Sequence, residues 1–130
     1  MSQVFSTLAV AQSGMGTYKL WIDAVADNVA NIDNVTSTDE AAFQERFLTV
    51  SSVDTGGVTV TGAAFGDPNG RPVYEPSNPL ADDNGMVRRP DIDLSDQMVF
   101  LQLAQRGYQA NINVFERARE SYETALKIGQ

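Results

Sequence analysis

The sequence contains no cysteine and no histidine. Without cysteine there is no disulfide, no thiolate zinc site and no thiol nucleophile. Without histidine the commonest general base and the commonest metal ligand are both missing. Catalysis would have to run on Asp, Glu, Lys or Tyr, and no P-loop, GxGxxG, HExxH or GxSxG pattern is present. The reading is a non-enzyme with no catalytic residues, no metal, no cofactor and no small-molecule substrate. Basic residues are scarce, 9 against 17 acidic ones, for a net charge of −8. Such a surface repels phosphate backbones and anionic lipid, so nucleic acid is not an expected partner. No apolar run reaches the roughly 18 residues of a membrane span. The opening "MSQVFSTLAVAQSG" lacks a basic n-region and its apolar residues are interrupted by polar ones, so no cleaved leader is expected.

What is present is long helical periodicity at both ends. The 130 residues, 42% of them hydrophobic, suit one domain with a modest core. In the first segment Val4, Leu8, Ala11, Met15, Tyr18, Ile22, Val25, Val29 and Ile32 recur in alternating steps of four and three. That is the 3.5-residue period of a coiled-coil seam. The last segment repeats it with Leu94, Met98, Leu101, Gln105, Tyr108, Ile112, Phe115, Arg119, Tyr122 and Leu126, two of them polar. At 1.5 Å per residue the helices would be about 42 and about 48 Å long, lengths that suit an antiparallel pair.

Between them the composition changes. "RFLTVSSV" and "GVTVTGAAF" alternate β-branched and small residues and read as short strands, with "TGG" at 55–57 as the hairpin turn. "GDPNGRPVYEPSNPLADDNGMVRRP" holds all five prolines and reads as a turn-rich extended segment. The expected fold is mainly α. Segments 1–36 and 93–130 pair as one coiled-coil unit, and 37–92 is a small β-rich or irregular insertion.

The other helix faces are also apolar. Phe5, Val10, Leu20, Trp21 and Ala24 lie off the first seam, and Phe100, Leu103, Ala110, Val114 and Ile128 off the second. A solitary hairpin would leave these in water, so helices packed on two or more sides are expected, with part of their order supplied by neighbouring chains. The candidate subunit-packing residues are Phe5, Val10, Leu20, Trp21, Asn28, Asn31, Phe100, Leu103, Tyr108, Asn111, Val114 and Ile128.

Local motifs carry alternatives. In "ADNVANIDN", Asn28 and Asn31 share a helix face; they either end the helix, with Asn34 in a left-handed cap, or bond a neighbouring chain. Gly14, Gly16 and Gly107 mark either a kink or a close approach. "DIDLSDQM" reads as a helix start with Asp93 as N-cap and Asp96 in the first turn. "ADDNG" fails as an EF-hand, because Leu80 would fall at its first ligand position, and reads as a turn.

The stretch Tyr74 to Gly129 resembles the C-terminal part of bacterial flagellar proximal-rod proteins of the FlgC type. The resemblance lies in Tyr74, Pro76, Pro79, Ala81, Asp82, Gly85, Val87, Pro90 and Asp93, then Met98, Val99, Arg106, Tyr108, Gln109, Ala110 and Asn111, and the closing Ala125, Leu126, Ile128 and Gly129. Ser13, Gly14, Met15, Asn28, Ala30, Asn31 and Thr36 are similar to the first helix shared by rod and hook proteins. Met86 and Gly107 depart from the usual Tyr and Ala. The resemblance implies a structural subunit of the drive shaft that transmits torque across the periplasm and encloses the export channel. It implies type III export without a cleaved leader. The partners it implies are copies of itself, other rod subunits, and ring or export-gate components at the base. A distal-rod or hook-junction subunit is the nearest alternative, and a soluble helical export chaperone or adaptor a more distant one.

Overall fold

The computed structural model describes residues 2–129. Two long helices, α1 (Ser2–Ala30) and α2 (Leu94–Ile128), flank four short strands: β1 (Arg46–Ser52), β2 (Val58–Phe65), β3 (Arg71–Tyr74) and β4 (Met86–Arg89). The strands form two separate two-stranded sheets, β1–β2 and β3–β4. The chain is therefore mainly α with a small β middle. It divides into two compact units, Met1–Ile22 with Leu48–Gly62 and Leu101–Gln130, and Asp23–Phe47 with Ala63–Phe100.

In the first unit α1 and α2 meet in antiparallel order. The Phe5 and Tyr122 rings lie 5.1 Å apart. A Cβ at Gly14 would stand 2.6 Å from Asn111 Oδ1, and one at Gly107 only 2.3 Å from Tyr18 Cζ. These two glycines are sites of close approach: Gly14 admits the Asn111 amide, which donates to Gly107 O at 2.9 Å, and Gly107 admits the Tyr18 ring. Each glycine costs its helix about 1 kcal/mol relative to alanine, and the contact it permits offsets that.

The α1 seam lies where the periodicity puts it, since all of its positions from Val4 to Ile32 are buried or half-buried. On α2 the stripe is shifted by one residue at three positions. Leu101, Tyr108, Ile112, Phe115 and Tyr122 face inward as expected, while Leu94 and Leu126 at the two ends are exposed. The positions between them are Gln97, Ala104, Asn111 and Ala118, whereas Met98, Gln105 and Arg119 are exposed. Ala104 is completely buried. The small Ala104 and Ala118 let the backbones approach, and the polar Gln105 and Arg119 stay in water.

The β1–β2 turn is at Gly56 and Gly57, with φ of 97° and 93°. Such angles favour glycine strongly. The tip rests on α1 in the same unit: Val58 N–H donates to Ser13 Oγ at 3.2 Å, and Ser13 Oγ donates to Val10 O at 2.7 Å.

In the second unit β3 pairs antiparallel with β4, Pro72 opposite Arg88. The sequence reading had only turns and extended chain here. Proline is tolerated in this strand because of the register. Arg88 N–H and C=O both bond Thr36, at 2.9 Å each. Pro72 therefore faces a position whose backbone groups point the other way, and its missing N–H leaves no gap in the ladder.

The helix ends also follow local chemistry. Asp93 caps α2, its Oδ1 accepting from Ser95 N at 2.7 Å. α1 ends without the left-handed cap expected at Asn34, because no non-glycine residue among those described has positive φ. Tight turns do the work instead: Ile32 N bonds Val29 O, and Asn34 N bonds Asn31 O. "ADDNG" is the expected turn, with Gly85 at φ 77°.

Candidate assembly surfaces

The candidate packing residues fall into three groups. Phe5, Val10, Leu20, Leu103, Val114 and Ile128 are exposed; Trp21, Asn31, Phe100, Tyr108 and Asn111 are half-buried; Asn28 is buried. Phe5 at 53%, Leu20 at 47% and Ile128 at 80% exposure are large apolar side chains left in water. At roughly 25 cal/mol per Å² of apolar area, covering them is a substantial driving force for association. Not every off-seam position waits for a partner. Val10 lies beside Gly56 of the hairpin tip, and Ala24 is buried. An open groove between the first turns of α1 and the later part of α2 is lined by Val4, Thr7, Val114, Arg117 and Ser121, among others.

Asn28 does something the sequence did not announce. Its Nδ2 donates to Arg46 O and to Gln97 Oε1, both at 3.1 Å, and its Oδ1 accepts from Arg46 N at 2.8 Å. The side-chain amide thus takes the place of a neighbouring strand at the start of β1. Gln97 is fully buried and passes the network on, donating from Nε2 to Glu45 Oε1. Asp27 pairs with Arg46 beside it. Asn31, by contrast, works locally and donates to Asp27 O at 2.8 Å. Glu45, Arg46 and Gln97 were not singled out from the sequence, because their partners are distant along the chain and leave no periodic trace.

Among the described residues three carboxylates are shifted, and all lie in the second unit. Glu45 is raised, first by burial and then by the charges of Asp96 and Asp91, against the lowering effect of the Gln97 hydrogen bond. Glu75 is lowered by the Asn78 hydrogen bond and then by Arg89, whose Nη2 lies 2.6 Å away. Asp82 is lowered by the Met86 backbone N–H, with Thr38 and the Asn84 N–H adding to it. The signs oppose one another. The depressed pair contributes stability above the ordinary carboxylate range, near pH 4, and loses it as the pH falls through their lowered values. The raised Glu45 destabilises the fold while ionised, and that penalty is relieved as the pH falls through its raised value. The stability of this unit should therefore rise on mild acidification and then fall. Glu45→Gln should abolish the rise and Asp82→Asn should soften the fall, as read from amide exchange of 23–47 and 63–100 across pH. A flat profile in the parent chain would contradict both assignments.

Among the described residues no group of acidic side chains is arranged to hold a metal ion, and no helix is long and apolar enough to cross a membrane.

Residues 83–128 match the family model for the C-terminal region of the flagellar basal body rod FlgEFG proteins. The chain is 35% identical to the flagellar basal-body rod protein FlgC of Salmonella typhimurium over 127 residues, covering 93% of this chain and 94% of the relative. It is 32% identical to FlgC of Escherichia coli, covering 93% and 94%, and 31% identical to FlgC of Aquifex aeolicus, covering 98% of each. Alignment over nearly the whole of both chains leaves one conclusion: the chain belongs to the FlgC family of flagellar basal-body rod proteins.

Proposed function

We infer that the chain is a structural subunit of the proximal rod of the bacterial flagellar basal body. The observation that carries this is the large apolar surface left exposed on both terminal helices of a chain that aligns along nearly its whole length with rod proteins. Its task is mechanical. Segments 1–36 and 93–130 act as one coiled-coil unit that encloses the export channel, and 37–92 packs outside it. Interdigitated helices carry torque across the periplasm with no bond-making chemistry. The subunit travels through the flagellar export apparatus without a cleaved leader. It packs against its own copies, other rod subunits and, at the base, ring or export-gate components. Heterologous contacts suit such a shaft, since they build an open helical array rather than a closed dimer.

Deleting the gene in the bacterium that encodes it tests this. Cells should lose motility, and their basal bodies should lack a complete rod by electron microscopy, with both restored by the intact chain in trans. Intact rods in the deletion strain would overturn the reading.

A further inference from the structure

Gly16 has no reason within this chain to be glycine. Gly14 and Gly107 each admit a side chain from the facing helix, but a Cβ at Gly16 would meet nothing within 4 Å. Its backbone is ordinary helix, without the positive φ that marks the turn glycines. A helix-interior glycine weakens the helix relative to alanine, and here no contact in the same chain offsets the loss. Close approach by something outside the chain would.

The surroundings of Gly16 fit that account. At 100° per residue, Ala9, Gly16, Leu20 and Asp23 share an arc of about 60° on α1, and all are exposed. This stripe lies away from the seam. A matching stripe runs along α2 off its own seam: Leu103, Arg106, Ala110, Val114, Arg117 and Ser121, within about 80° and again all exposed. The stripes are complementary in size when run antiparallel in a single register. Gly16 then faces Val114 and Leu20 faces Ala110, so that large meets small at these two levels, while at Ala9 and Ser121 small meets small. They are complementary in charge as well. The same register brings Asp23 within one residue of Arg106, in reach of its long side chain, and neither makes an ion pair among the described residues.

We propose that the outer stripe of α1 on one copy packs antiparallel on the outer stripe of α2 on the next copy, with Gly16 seated over Val114 and Asp23 paired with Arg106. The occupant is a second copy because one chain carries both halves of the contact. Two different faces meet, so the contact is heterologous and each copy added leaves one face of each kind free. The proposal rests on the rod reading and specifies its lateral contact.

The chain has no native cysteine, which makes cross-linking unambiguous. Basal bodies from cells producing the Leu20→Cys/Ala110→Cys chain should give, on oxidation, a ladder of covalent multimers, while either single substitution should leave monomer. Dimers from Leu20→Cys alone would show an isologous contact and overturn the proposal, as would rods that contain the doubly substituted chain and give no ladder. If the wild-type chain is absent from basal bodies, the rod reading fails and this proposal with it, an outcome distinct from an unlinked rod. A second arm covers failure of the cysteine pair to assemble. Gly16→Leu should keep or raise the helix content of the purified chain by circular dichroism, yet cut its incorporation into rods at least tenfold. Incorporation at the wild-type level would refute the contact.

Discussion

Replacing Asn28 by alanine is expected to destabilise the second unit by about 3 kcal/mol, far more than the same change at Asn31. The alanine removes three hydrogen bonds at once. Arg46 loses partners for both its N–H and its C=O, and the buried Gln97 loses the donor to its Oε1. Each polar group stranded away from water costs about 1–3 kcal/mol, the lower part of that range applying to the half-exposed Arg46 backbone. Asn31→Ala removes only local, exposed bonds, one to Asp27 O and one accepted from Asn34 Nδ2, so it should stay within about 0.5 kcal/mol of wild type. Urea unfolding of the two variants, with amide exchange at Arg46 as the local reporter, separates them. Two variants of equal stability would mean that the Asn28 amide does not hold β1 in place. Gln97→Leu should also be costly, because it leaves the Asn28 N–H and Glu45 facing an apolar side chain. The double substitution Asn28→Leu/Gln97→Leu should cost less than the sum, since each residue is the other's partner.

This node also shows where reading the sequence reaches its limit. The helices were legible because burial along a helix repeats. The seam from Val4 to Ile32 could be counted, and it is buried or half-buried throughout. The first hairpin was legible from its β-branched runs and the Gly56–Gly57 turn. The second was not, because Pro72 argues against a strand unless the register is known, and the register depends on Thr36 bonding Arg88. The α2 stripe departs from the apolar count at Met98, Gln105 and Arg119, the first of them for a related reason. Counting apolar residues favours Met98 over Gln97, but Gln97 is buried by an amide 69 residues away in sequence. A long-range hydrogen bond overrides hydropathy there. Of the candidate assembly residues, periodicity located those that remain exposed, such as Phe5, Leu20 and Ile128, and it also selected Asn28, which the chain uses for itself. The function came from elsewhere: from the run Tyr74 to Gly129, whose residues match a family and whose chemistry alone would only have said that two helices need neighbours.

Gly107→Leu should force the two helices of the first unit apart. A Cβ at this position would lie 2.3–2.7 Å from three atoms of the Tyr18 ring, so the ring must leave its place. Tyr18 would then lose its stack on Trp21, where the centroids are 6.2 Å apart, as well as its contact with α2. Overpacking of this kind costs about 1–3 kcal/mol, which outweighs the gain of up to about 1 kcal/mol from removing a glycine from a helix. Tyr18→Ala alone should also destabilise, by opening a cavity over Gly107. Combined, the two should largely compensate, because the leucine occupies the space the ring vacates. That coupling, on the order of 1–3 kcal/mol, is the quantity to measure. Trp21, the single tryptophan of the chain, provides the fluorescence signal for urea titrations of all four proteins. Motility should follow the same pattern, lost in Gly107→Leu and partly recovered in the pair, because a shaft assembled from these helices depends on their separation. Additive costs with no recovery in the double variant would mean that Tyr18 and Gly107 do not set that spacing, and the close approach at this level would have to be assigned to the Gly14–Asn111 contact alone.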